Sequence, residues 1–234
     1  MRDKDSLELG LQADRMSEAE VALRLAEFIL SLPNSGAMAS VAIDGASIKL
    51  SDAIVFDIGR FMAWTGWEQI REPQFGRSAR TGAYRRNDKT IRVHSRPSEG
   101  DVVATIGGRR TIARCRKGPL VPKPGSQEHA LLTAALGQAL LFEVSADNIV
   151  VAAVPDTPAF RWLAEAWRER PLVKMASIRI ALVAHDSTVA AWNSSADLEE
   201  ASSVKLMSWM APSTSVRRAR IGMLKNRRGA THHV

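Results

Sequence analysis

At 234 residues, 45% hydrophobic and 24% charged, the chain is long enough to bury one full core, and its composition excludes a low-complexity or fibrous protein. A single cysteine, Cys115, excludes an intramolecular disulfide framework and a cysteine-based zinc site, and suits a reducing cytoplasm. The net charge of +7 and a pI near 10.1, with 24 arginines against 8 lysines, point to a polyanionic partner, because neutralising phosphates releases condensed counterions.

In chain order, residues 1–16 read as a polar leader, with a charged start and no apolar signal core. Ser17-Glu18-Ala19-Glu20 is a capping box, in which the Ser17 hydroxyl takes the Glu20 amide and Glu20 reaches back. Val21, Leu25, Phe28, Ile29 and Leu32 follow at helical spacing until Pro33-Asn34-Ser35-Gly36 ends the element. The stretch 40–50 predicts a strand pair around Asp44-Gly45, and 51–67 predicts a helix capped by Ser51 and stopped near Gly66. Residues 71–96 hold seven arginines and one lysine, with Phe75 and Tyr84 interleaved. TIRVH (90–94) alternates as a strand, and DVVATI (101–106) and RRTIARC (109–115) form a hairpin around Gly107-Gly108.

A proline-rich loop (118–125) leads to an apolar helix capped by Ser126, with Glu128 in its first turn. NIVVAAVP (148–155) has the continuous apolar character of a buried central strand. A helix with Pro158 in its first turn covers 157–170, and 177–193 closes as a hairpin around His185-Asp186-Ser187. From Ser194 the periodicity weakens, and the chain ends in the basic VRRARIGMLKNRRGATHHV. This order predicts an α/β fold with a mixed sheet flanked by helices over 17–193, and a basic C-terminal extension over 194–234. No apolar run approaches the roughly 18 residues of a spanning helix, so no membrane partner is expected.

One stretch carries a resemblance. Asp101 enters an apolar strand, followed by a turn and a second strand ending Arg114-Cys115-Arg116. A glycine, a loop and an apolar helix containing Gln138 come next. In that order these elements resemble the PD-(D/E)xK nuclease, or restriction-endonuclease-like, fold. The resemblance spans roughly residues 90–184, with the first helix as the fold's leading helix. It implies that an acid opening one strand and a Glu-x-Lys in the next hold magnesium and orient a water. Two carboxylates form a hard oxygen cage, and the lysine stabilises hydroxide or the scissile phosphate.

Here Asp101 matches the first carboxylate, whereas Arg114 stands for the glutamate and Arg116 for the lysine. Residues i and i+2 of a strand share a face, so both guanidiniums project where the family has Glu and Lys. The family's constellation carries about −1 and this one about +1 before any cation arrives. A divalent ion roughly 5 Å from two guanidiniums costs several kcal/mol at an effective dielectric near 20. A guanidinium also cannot deprotonate to become a ligand. No metal cofactor is therefore expected, and Asp101 is expected to pair with Arg114, Arg116 or both. Magnesium enters only under an alternative reading, an active endonuclease using Asp101 with a migrated carboxylate at Glu128. Gln138 matches a glutamine on the corresponding helix in part of the family, or else satisfies a buried backbone group.

The expected function is a catalytically degenerate nuclease-like domain that binds nucleic acid, DNA rather than RNA. It would be a subunit of a bacterial DNA-processing, transposition or defence complex, with a protein partner or a second copy of itself. The candidate contacts are Arg77, Arg80, Arg85, Arg86, Arg114, Arg116 and Lys117 for phosphate, with Tyr84 stacking on a base. A third reading is a protein-interaction scaffold whose charge serves solubility. Cys115 reads as a small core residue, His185-Asp186 as a turn rather than a dyad, and His232-His233 as lacking metal spacing.

Overall fold

The structure, a computed structural model, describes residues 16–43, 47–50, 53–70, 82–95, 99–119, 127–143, 145, 147–190 and 192. The chain divides after Ser194, and every described residue falls in the first unit. The proline-rich loop beyond Pro119, the Ser51 and Ser126 caps, Arg77, Arg80 and the tail with His232-His233 lie outside the described residues.

Helix α1 (Glu18–Ser31) starts where the Ser17 side chain accepts the Glu20 amide at 3.1 Å. The capping box is half made, because the Glu20 carboxylate turns instead to Arg24 and His185. Strand β1 (Met38–Ala42) follows. It does not pair with its neighbour across Asp44-Gly45, as the sequence suggested. Strand β2 (Ser47–Leu50) pairs with β3 (Ala53–Asp57) in a separate two-stranded sheet, and β1 joins the main sheet. The helix expected over 51–67 is thus strand first. The run Ala53–Phe56, with β-branched Ile54 and Val55, stays extended, and α2 (Ile58–Trp64) begins only where the Asp57 side chain accepts the Arg60 amide at 2.8 Å.

The arginine-rich segment contributes two strands that the charge pattern concealed, β4 (Glu68–Ile70) and β5 (Gly82–Arg86). Strand β6 (Lys89–His94) follows. The expected hairpin is β7 (Val102–Ile106) and β8 (Arg109–Cys115). Its turn needs φ of +57° and +80° at Gly107 and Gly108, which only glycine adopts without strain. Helix α3 (Gln127–Ala139), strand β9 (Asn148–Pro155), helix α4 (Pro158–Arg168), the short α5 (Pro171–Met175), and strands β10 (Arg179–Val183) and β11 (Val189–Ala190) complete the unit.

The main sheet runs β11-β10-β9-β8-β7-β1-β6-β5-β4. It is mixed, with β1/β6, β8/β9 and β9/β10 parallel and the remaining neighbours antiparallel. The fold is α/β with a central mixed sheet flanked by helices. Alternate strand residues feed two cores. Val41, Val93, Val102, Ala113, Cys115 and Val151 pack beneath α1, whereas Val150, Ala152, Val154 and Ile180 pack beneath α3 and α4. Strand β9 is buried on both faces, which accounts for its uninterrupted apolar run. No helix among the described residues is long and apolar enough to cross a membrane.

Candidate nucleic-acid interface

Register places three rows of side chains on the sheet face opposite α1. One row runs His94, Ala42, Asp101, Arg114, Ala152; the next runs Ala83, Arg92, Ser40, Val103, Ile112; the third runs Arg85, Thr90, Met38, Thr105, Arg110. Helix α3 covers this face only over β8 and β9. Among the described residues no helix covers it across β7, β1, β6 and β5, and Met38 and Thr105 are exposed there. Of the seven arginines and lysines in β5, β6, β1, β7 and β8, four (Arg85, Arg92, Arg110 and Arg114) lie on this face, with Asp101 at the head of β7.

Asp101 sits at the head of β7, directly across from Arg114. Gly100 allows that approach, since a Cβ there would come within 2.7 Å of Ile112 Cγ2 and 2.9 Å of the Ala113 carbonyl oxygen. Both carboxylate oxygens of Asp101 are engaged. Oδ1 accepts from Arg114 Nη1 at 3.0 Å and Oδ2 accepts from the Cys115 amide at 2.7 Å. The Arg114 guanidinium also stacks 5.1 Å from the Phe142 ring centroid. Arg116, beyond the strand end, does not join Asp101. Its Nη1 reaches Glu18 Oε1 of α1 at 3.1 Å and its own neighbour's Cys115 carbonyl at 3.0 Å.

This arrangement does not fit the magnesium that the resemblance implies. The one matching carboxylate is spent on a guanidinium and an amide, and the next donors along the strand are cations. Among the described residues, no three His, Cys, Asp or Glu side chains are grouped to hold a metal ion. Glu128 and Gln138 are half-buried in the first and last turns of α3, and neither makes a side-chain hydrogen bond or ion pair among the described residues. Cys115 is fully buried, and burial together with Asp101 and Glu18 pushes its thiol well above the usual range, so it stays protonated.

The remaining expected contacts scatter. Tyr84 is a correction: β5 turns it to the α1 side, where it is 7% exposed, so its ring is a core surface and not a base platform. Burial also raises its phenol pKa. Arg86 alternates to the same side and is held by Glu27 and Thr65. Arg85 and Lys117 are exposed and unpaired among the described residues.

Sequence reading missed His94, Ser40, Arg92 and Arg110. His94 Nε2 lies 2.8 Å from Ser40 Oγ across the parallel β1/β6 pair, and Arg110 pairs at the surface with Glu99. The alternation of TIRVH was the available signal for Arg92 and His94, since it puts both opposite the apolar Ile91 and Val93. No protein-family model, curated protein or solved structure matches this chain.

Proposed function

We propose that this chain is a restriction-endonuclease-like domain that has given up its metal site and binds nucleic acid, DNA in the first instance, as a non-catalytic subunit of a bacterial DNA-processing assembly. The element order supports the ancestry. Helix α1 lies on one face, and β1, β7 and β8 form an antiparallel run. Helix α3 then crosses the other face, and β9 returns parallel to β8. Asp101 and Arg114-Cys115-Arg116 stand at the corresponding strand ends.

The observation that carries the binding reading is the five-strand sheet face with Arg85, Arg92, Arg110 and Arg114, in whose rows Asp101 is the one acid and is paired with Arg114. Neighbouring strands lie about 4.8 Å apart, so Arg85 and Arg110, four strands away, span roughly 19 Å. That reach covers several phosphates of a strand whose charges recur about every 3.4 Å along the axis. The Arg110–Glu99 pair is exposed, and such pairs are worth little, so phosphate displaces Glu99 at small cost.

The test is fluorescence anisotropy with labelled duplex and single-stranded DNA across salt concentrations. The two exposed contacts at Arg85 and Arg110 predict a slope of log K against log salt of about −1.8 or steeper for duplex, and an Arg85→Ala, Arg110→Ala variant loses about 2 from it. Binding indifferent to salt, or a variant with the parent's slope, contradicts the reading.

A further inference from the structure

On the α1 side of the sheet, away from the arginine face, a cleft of about 640 Å³ opens between α1, the end of α2 and the β10–β11 turn. That volume falls within the range of small-molecule sites, roughly 300–1,000 Å³. Part of its wall is aromatic, among lining residues that are mostly polar. Trp64, the last residue of α2, is 55% exposed at the cleft, although an indole of that size gains by burial, and Phe28 of α1 flanks it.

The polar groups behind this wall are mostly spent on one another. Glu27 Oε1 accepts from Trp67 Nε1 at 2.7 Å and from Arg86 Nη1 at 3.1 Å, and its Oε2 accepts from Ser187 Oγ at 2.8 Å. Arg24 is neutralised by Glu20.

Two of the lining residues keep hydrogen-bonding capacity among the described residues. Both hydrogen bonds that Arg86 donates leave from Nη1, to Glu27 and to the Thr65 carbonyl, so Nε and Nη2 hold no hydrogen bond among the described residues. Its guanidinium is fixed in place, stacked 4.5 Å from the Trp67 ring, while 38% of the side chain stays exposed. Across the cleft, Asp186 receives the Thr188 amide and hydroxyl on Oδ1 alone, leaving Oδ2 as an acceptor. Those bonds from Thr188 also hold the Asp186 carboxyl below its usual range. The Ser187 backbone, at φ +63°, fixes this turn in a conformation that non-glycine residues rarely adopt.

We infer that the cleft is a binding site for a planar nitrogen heterocycle of the nucleobase or nucleoside class, stacked on Trp64, with an acceptor edge toward Arg86 and a donor edge toward Asp186. The charges decide against a phosphate-dominated ligand. Arg24 is paired with Glu20 and Arg86 with Glu27, and Asp186 adds a further carboxylate to the lining, so the cleft offers no net positive field to a multiply charged anion. A ring with adjacent donors and acceptors uses both free edges and the indole at once. The site lies on the opposite sheet face from the arginine rows and does not depend on nucleic-acid binding there.

The test is titration of the full chain's tryptophan fluorescence with adenosine, guanosine, cytidine and uridine separately, and with inorganic phosphate, at physiological salt. At least one nucleoside is expected to quench saturably and phosphate to give no effect. Stacking on an aromatic is worth about 1–3 kcal/mol, so Trp64→Leu weakens binding by roughly 5- to 150-fold. Calorimetry reads that loss independently of the missing fluorophore. Asp186→Asn, a surface change that keeps Oδ1 for Thr188, weakens every nucleoside that binds, since each of the four presents an N–H donor on its base edge. Unchanged melting of both variants shows that the fold persists. The inference is overturned if no nucleoside saturates, if Trp64→Leu binds as tightly as the parent, or if phosphate alone competes. Loss of salt-dependent DNA binding with nucleoside binding intact leaves this site standing and removes only the reading of the other face.

Discussion

Replacing Arg24 by leucine is expected to cost about 3–5 kcal/mol of stability, and replacing Glu20 and Arg24 together by leucine to cost less than either single change. The two side chains, on consecutive turns of α1, are 4% and 1% exposed. Arg24 Nε donates to Glu20 Oε1 at 2.9 Å, and Nη2 stands 2.9 Å from the same oxygen without the alignment of a hydrogen bond. In bulk water such a pair is worth little, but here each charge has been taken out of solvent and depends on the other. Removing Arg24 leaves a carboxylate with His185 Nδ1 at 3.2 Å as its remaining partner, plus a void beside Phe61, over whose ring the guanidinium sits at 5.0 Å. Removing both charges removes the desolvation cost along with the attraction. Urea unfolding of the two single variants and the double variant forms a complete cycle. Additive costs, or singles below about 1 kcal/mol, would show that water reaches the pair and that α1 is less deeply seated than described.

The second large effect is at Asp101. Asp101→Ala leaves Arg114 without its ion pair and the Cys115 amide without an acceptor, both partly or wholly out of water. The expected cost is about 2–3 kcal/mol, because an orphaned donor costs roughly 1–3 kcal/mol and the pair retains some exposure, 16% for Asp101 and 26% for Arg114. For a unit of this size the melting temperature falls by about 2–4 °C per kcal/mol, hence roughly 4–12 °C. Asp101→Asn keeps an oxygen for the Cys115 amide and loses only the charge, so it falls between. A carboxylate poised to bind metal behaves oppositely. Without the ion it sits in a site of unbalanced charge, and its removal is neutral or stabilising. A metal-free Asp101→Ala protein that melts at or above the parent would contradict the structural role given to this residue.

The parts of the fold that the sequence disclosed are those governed by local chemistry. Gly107-Gly108 dictated the β7–β8 turn, Ser17 the start of α1, and the eight-residue apolar run the central place of β9. Where partners are distant, local signals misled. The Asp44-Gly45 dipeptide looks like a hairpin turn, yet Ala39 and Val41 find their pairing with β6, about fifty residues on, because that buries them beneath α1. Strand β5 was hidden because its charge obscures the alternation, with only Ala83 and Tyr84 marking a buried stretch.

The polar stripe Glu20, Arg24, Glu27 on α1 reads as a solvent face at helical spacing. It is buried because Trp67, Arg86, His185 and Ser187 meet it, the last of them 160 positions away. At the candidate interface, the Asp101–Arg114 pair followed from charge alone. The diversion of Arg116 to Glu18 did not, because it depends on where α1 crosses the strand ends. Of the basic residues named from density of charge, strand alternation sends Arg85 to one face and Arg86 to the other, a division that charge density alone does not disclose.

The proposed function requires this scaffold to hold DNA without cutting it. The most direct measurement is a single incubation of the full chain with labelled supercoiled and linear DNA, in magnesium or in EDTA, resolved for both complex and product. The expected result is a retained complex whose yield is the same with magnesium and with EDTA, and intact DNA in every lane. Nicking or cleavage that requires magnesium and disappears with Asp101→Asn would contradict it, and would mean that Asp101 leaves Arg114 to take a metal when DNA arrives.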